Sequence, residues 1–145
     1  MTEVAFHFNA PDSTAYTCRL VRKALSKGAK VVVTGDTAQL LQLDTDLWSI
    51  GEFDFLPHCK GNAAPEVLAA SPVVLTQALS RAPHHHVLVN LGAQVPLGFE
   101  RFERLVEVVT LDADNREQAR QRWKHYADRG YAIQRHDLKL KEFPQ

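Results

Sequence analysis

The chain has 145 residues, 45% of them apolar and 23% charged, which is enough for one buried core and short for two domains. Seventeen basic residues balance seventeen acidic ones, so there is no global field to hold a nucleic-acid backbone, which argues against direct binding of duplex DNA. No apolar run approaches the length of a membrane span and the opening MTEVAFHF lacks the residue order of a secretory signal, so a cytoplasmic protein without membrane contact is expected.

In chain order, Val4 to Phe8 alternates apolar residues with His7 and ends at Asn9, Pro11 and Asp12, the pattern of a strand running into a turn. Ser13 to Lys27 carries Cys18, Val21, Ala24 and Leu25 on one helical face, with Asp12 or Ser13 as cap and Gly28 as stop. Ala29 to Thr34 is β-branched and apolar on both faces, as in an interior parallel strand. Asp36 to Trp48 follows as a helix with Asp36 and Gln39 at capping-box spacing and Leu40, Leu43 and Leu47 facing inward. Leu47 to His58 then gathers Trp48, Ile50, Phe53, Phe55 and Leu56 among acids, and Pro57 prevents a regular interior strand. Such residues either cap a core or are exposed for a partner.

Cys59 to Ser71 reads as a loop with a short helix at Pro65 to Ala70. Pro72 to Thr76 and His86 to Leu91 read as strands joined by a surface connection over Gln77 to His85. Leu97 to Phe102 forms a helical turn and Leu105 to Val109 another buried strand. Asp114 to Gly130 is a basic helix, capped by Asp114 or Asn115 and stopped by Gly130. Ala119, Trp123, Tyr126 and Gly130 share one arc of it that should face a core, while Arg116, Arg120 and Lys124 line one edge. Tyr131 to His136 adds an edge strand. The alternation of strands and helices predicts an α/β fold in three layers, a mostly parallel sheet flanked by helices. One domain over residues 1–138 is expected, with a tail over 139–145.

The turn Thr34-Gly35-Asp36 stands where such folds take phosphate, but it has one glycine and neither GxGxxG nor GxxxxGK. The fold is therefore mononucleotide-binding-like without a phosphate loop, and no cofactor is assigned. His84, His85 and His86 lack metal-ligand spacing, since consecutive strand residues point to opposite faces. Cys18 and Cys59 are too far apart for a CxxC pair, and His58 next to Cys59 is poorly placed to activate it. The acids Asp44, Asp46, Glu52 and Asp54 lack an EF-hand spacing. No catalytic or metal site is assigned, although a small nucleotide- or metal-dependent enzyme on this scaffold stands as the alternative. The charge is nevertheless uneven: Arg116 to Arg129 holds five Lys or Arg against two acids, whereas Asp36 to Asp54 holds five acids and no base. Two faces of opposite sign suit protein partners. In the late helix, arginines one turn apart beside Trp123 suit a carboxylate next to an apolar group, or simply form a solvated edge.

Two stretches together carry a family resemblance. Leu47-Trp48 precedes Phe55-Leu56-Pro57-His58 by seven residues, and Ala119-Arg120-Gln121-Arg122-Trp123-Lys124-His125-Tyr126 is followed by Gly130. This spacing resembles the chi subunits of bacterial DNA polymerase III holoenzyme, over nearly the whole chain. The resemblance implies a non-catalytic clamp-loader accessory protein with two partner surfaces. One takes the acidic C-terminal tail of single-stranded-DNA-binding protein, which ends in phenylalanine, and maps onto Val109, Arg116, Arg120 and Trp123. The other takes the psi subunit, or a helicase competing for it, and maps onto Trp48, Phe55, Pro57 and His58. Cys59 to Ser71 departs from the family pattern, and Trp123 replaces a tyrosine.

Overall fold

The computed structural model describes residues 1–48 and 58–139. Its elements are β1 (Glu3–Ala10), α1 (Ser13–Ser26), β2 (Val31–Thr34), α2 (Thr37–Trp48), β3 (His58–Lys60), α3 (Pro65–Ala70), β4 (Val73–Leu75), β5 (Val87–Asn90), β6 (Arg104–Thr110), α4 (Ala113–Asp128) and β7 (Ile133–Asp137). Short 3₁₀ turns occur at Leu79–Arg81 and Phe99–Arg101. The seven strands form one sheet in the order β3-β4-β2-β5-β6-β1-β7, and every pairing is parallel. This is the α/β class expected from the alternation of elements.

Period-two alternation divides the core into two layers. Val31 and Val33 of β2 pack with Cys18 and Val21 of α1 and with Leu43 and Leu47 of α2. Val32, between them, joins the opposite layer with Leu68 of α3 and with Ala119 and Tyr126 of α4. All four β2 residues are buried, which explains a strand apolar on both faces. The same alternation sends Val106 and Val108 of β6 toward α1, and Leu105 and Val109 toward α4.

The helix starts follow side-chain hydrogen bonding. The Asp12 carboxylate accepts from the backbone N–H groups of Thr14 at 3.0 Å and Ala15 at 3.2 Å. These bonds hold its carboxyl below the usual carboxylate range. At α2 the capping box is complete: Asp36 Oδ1 accepts from Gln39 N at 2.7 Å, and Gln39 Oε1 from Asp36 N at 2.9 Å. The cap of α4 differs from the expected Asp114 or Asn115. Asp112 caps it by accepting from Asn115 N at 3.0 Å. Asn115 instead accepts from Thr110 N at 2.8 Å, tying the helix to the end of β6. A two-residue turn after β6, Leu111 and Asp112, leaves Asp112 as the last acid outside the helix, at the N-cap to N3 spacing.

One strand was absent from the sequence pattern. His58–Lys60, read partly as loop, pairs with Val73–Leu75 at the sheet edge. Three residues with no apolar alternation carry no strand signal of their own, so only the neighbouring edge makes them one. The predicted helix at Pro65 to Ala70 and the edge strand after α4 are both present, the latter as Ile133–Asp137.

Candidate functional site

The crevice beyond the carboxyl ends of β2 and β5 is where folds of this topology bind nucleotides. Here it is spanned by protein: Gln39, held by its capping box, donates from Nε2 to Leu91 O at 2.8 Å. A Cβ on Gly35 would stand 2.7 Å from Gln39 Oε1 and 3.1 Å from Leu91 Cβ. Gly35 thus lets Gln39 and Leu91 approach its backbone closely. Among the described residues no group of three or more His, Cys, Asp or Glu is placed to hold a metal ion. His84 Nε2 lies 3.2 Å from Ser71 O, and the His85 ring packs edge-on to Phe102. His58 and Cys59 point to opposite faces of β3, His58 toward Asp44 and Cys59 toward the α4 layer.

The convergent site lies toward the β7 edge of the sheet, between α4 and strands β6, β1 and β7. A surface pocket of about 460 Å³ is lined by Val109, Arg116, Arg120 and Trp123, together with Phe6, Phe8, Ala119 and Arg135. Arg116, Arg120 and Trp123 share a face of α4 because they stand four and then three residues apart. Val109 comes from the end of β6, three residues before the cap of that helix. Phe6 forms part of the floor, its ring centroid 5.0 Å from that of half-buried Trp123. Three guanidinium groups therefore border an apolar floor, and among the described residues no carboxylate lines the pocket. Arg120 makes an exposed ion pair with Glu117 at 3.1 Å, a contact of small energy in water.

Phe8 and Arg135 were not singled out from the sequence. Phe6 of β1 stands beside Arg135 of β7 in the parallel register. The pairing is irregular between His7 and Ala10, where Asn9 adopts φ +66°. A bulge of this kind re-aims the neighbouring side chain. Asn9 Nδ2 donates to Asp137 Oδ1 at 2.8 Å, which fastens the bulge to β7. The alternation of each strand is readable, but which strand lies next to β1, and in what register, is not.

Beneath the pocket a buried polar network fixes α4. Glu107, fully buried on β6, accepts from Arg122 Nε at 3.0 Å, from Tyr126 Oη at 2.5 Å, and from Asn90 Nδ2 at 2.9 and 3.2 Å. Arg122 Nη1 also donates to Ala93 O at 3.0 Å. Burial pushes the Glu107 carboxyl up, while the adjacent guanidinium and its hydrogen bonds pull it down. Burial and the nearby Glu107 raise the Tyr126 phenol far above its ordinary value, so it stays protonated and donates.

The family model described as DNA polymerase III chi subunit, HolC, matches residues 1–134. The chain belongs to the chi family of DNA polymerase III. It is 33% identical to the DNA polymerase III subunit chi of Pseudomonas aeruginosa over 143 residues, 95% of this chain and 98% of that protein. The subunit chi of Haemophilus influenzae is 25% identical over 118 residues, 80% of this chain and 81% of the other. Members of the chi family are accessory subunits of a replicase, and the resemblance drawn from the two short motifs is thereby established.

The second predicted surface is described only in part. Phe55 and Pro57 lie outside the described residues. Trp48, the last residue of α2, is 56% exposed, and its ring centroid is 4.7 Å from that of His58. His58 Nε2 lies 2.9 Å from Asp44 Oδ1, and Lys60 Nζ lies 3.9 Å from Asp44 Oδ2. Trp48 is thus largely outside the core, contrary to the core-capping alternative for that residue.

Proposed function

We propose that this chi-family chain is a non-catalytic replication adaptor whose α4 pocket captures the acidic C-terminal tail of single-stranded-DNA-binding protein. The observation that carries this reading is the meeting of Val109, Arg116, Arg120 and Trp123 around one pocket with no acid among the described residues of its lining. Guanidinium groups bind carboxylates in a fork geometry, and the floor of Phe6, Val109 and Ala119 suits a terminal aromatic ring. A short flexible tail must be ordered on binding, so affinity on the order of micromolar, about 8 kcal/mol, is expected. Calorimetric titration with an acidic peptide ending in phenylalanine, at two salt concentrations, tests it. Binding should weaken as salt rises, and Arg120→Ala should cost about 1.5 to 3 kcal/mol. Unchanged affinity in that variant removes Arg120 from the site.

The second surface, formed by Trp48, Phe55, Pro57 and His58, is assigned to the psi subunit or a helicase that competes for it. An exposed tryptophan against the tilted ring of a histidine that a carboxylate orients is an interface group of the kind that dominates binding energy. Trp48→Ala should abolish co-purification of psi while moving the melting temperature by no more than about 2 °C, since the ring is mostly in solvent. A large loss of fold stability with psi binding retained would make Trp48 structural.

A further inference from the structure

Helix α1 carries two adjacent stripes, one apolar and one cationic. Tyr16, Leu20 and Ala24, each four residues from the next, are half-buried and touch the core from its margin. Arg19, Lys23 and Lys27 repeat at the same interval beside them and are exposed. Among the described residues, the side chains of these three cations form no hydrogen bond or ion pair. Both stripes border a groove of about 460 Å³ on the face of the sheet opposite α4. On that face α1 packs over β6 and β2, and α2 lies beside it on the side toward β3. At the other edge, β1 and β7 bring Ala5, His7, Gln134 and His136 to the groove, with only the margin of α1 next to them. Neighbouring strands lie about 4.8 Å apart, so these two together are as wide as one helix of about 10 Å. The slot beside α1 has Val87 and Val106 in its floor, and among the described residues no carboxylate lines it. Arg104, a fourth cation at its rim, meets Glu3 at 3.6 Å.

We propose that this groove docks an acidic amphipathic helix of a partner protein, laid alongside α1. The surface is separate from the α4 pocket and does not depend on tail capture. Four helical residues rise about 6 Å, so cations at that interval along α1 face about one acid per turn of a helix lying beside it. The aliphatic floor suits the leucine side of such a helix. A nucleic-acid strand needs open rings for its bases, whereas here Tyr16 Oη and His7 Nδ1 share a hydrogen bond and His136 lies against His7. The chain also has no net charge to hold a polyanion. A second copy could offer only its acidic helix α2, and a contact between two different faces does not close into a dimer. Residues 140–145 carry Lys141 against Glu142, so they have no net charge to answer the cationic rim.

The test uses a designed helical peptide with leucines at three- and four-residue spacing and glutamates on both flanks, a scrambled peptide of the same composition, and single-stranded oligothymidylate. Binding to the parent chain, to R19E/K23E and to a chain ending at Lys139 is read by fluorescence anisotropy, and amide shifts locate it. The parent should bind the patterned helix about tenfold or more tighter than the scrambled peptide, and more tightly than the oligonucleotide. Both substituted side chains are exposed, so R19E/K23E should melt as the parent does while its preference falls to about twofold or less. Shifts should appear over residues 16–27 and at His136. Equal affinity for the two peptides overturns the proposal, as do shifts confined to the α4 pocket. Tighter binding of oligothymidylate, lost in R19E/K23E, overturns it in favour of a nucleic-acid site. A tenfold gain in the shortened chain overturns it in favour of residues 140–145, and self-association lost in R19E/K23E does so in favour of a second copy.

Discussion

The two sides of α4 use the same residue type for opposite ends. Arg122 is 2% exposed and is bound to Glu107 and to the Ala93 carbonyl, beside Tyr126 and Asn90. Arg120, two residues earlier, has a side chain 71% exposed and, among the described residues, forms an ion pair with Glu117. The Arg116 side chain has no hydrogen bond or ion pair with a described residue and lines the pocket. A buried guanidinium must be paired, because an unpaired charge in the interior is too costly; Arg122 engages Nε and Nη1, while its Nη2 has no hydrogen-bond partner among the described residues. An exposed one keeps its donors available at almost no cost to the fold. The inner side of the helix thus supplies rigidity, and the outer side supplies recognition by groups held on a rigid support.

The contrast is broken most severely at Arg122. Arg122→Ala leaves Glu107 buried without its cation, and should destabilise the fold by about 3 to 5 kcal/mol in denaturant unfolding. A loss of about 1 kcal/mol or less would mean that Tyr126 and Asn90 alone satisfy the carboxylate. Arg120→Ala sharpens the comparison from the other side: stability should change by less than about 0.5 kcal/mol while tail affinity falls as given above. A comparable loss of stability there would erase the distinction between the two sides. The smallest effect is expected at Glu117, which competes for Arg120. Glu117→Ala should tighten tail binding by about threefold or less, in titrations at low salt, as suits an exposed ion pair. Weaker binding would show that Glu117 orients Arg120 for the tail rather than occupying it.

The α4 side of the sheet also explains which parts of the site were legible. Arg116, Arg120 and Trp123 lie on one helix, where spacing alone sets their common face. Trp123, on the arc expected to face the core, is half-buried. Arg122 was harder to read, since its position on the wheel is next to the core but its type suggests solvent. Its burial depends on an acid fifteen positions earlier in the chain, on β6. Phe8 and Arg135 needed the β1-β7 pairing, a relation between strands separated by most of the chain. At the opposite edge, the short β3 carried no periodic signal, and Phe55 and Pro57 lie outside the described residues.

Local patterning by itself determined the α/β class, most of the element order, the capping box at Asp36 and Gln39, and the stripe of arginines on α4. These depend on periods of two and 3.6 residues and on side chains reaching their own backbone, interactions that span a few residues. Tertiary structure decided that Gln39 would close the crevice at Leu91, that Arg122 would turn inward to Glu107, and that Arg135 would lie across Phe8 and Trp123. Each of those depends on strand order and register, which are set by long-range packing of the whole core rather than by any one segment.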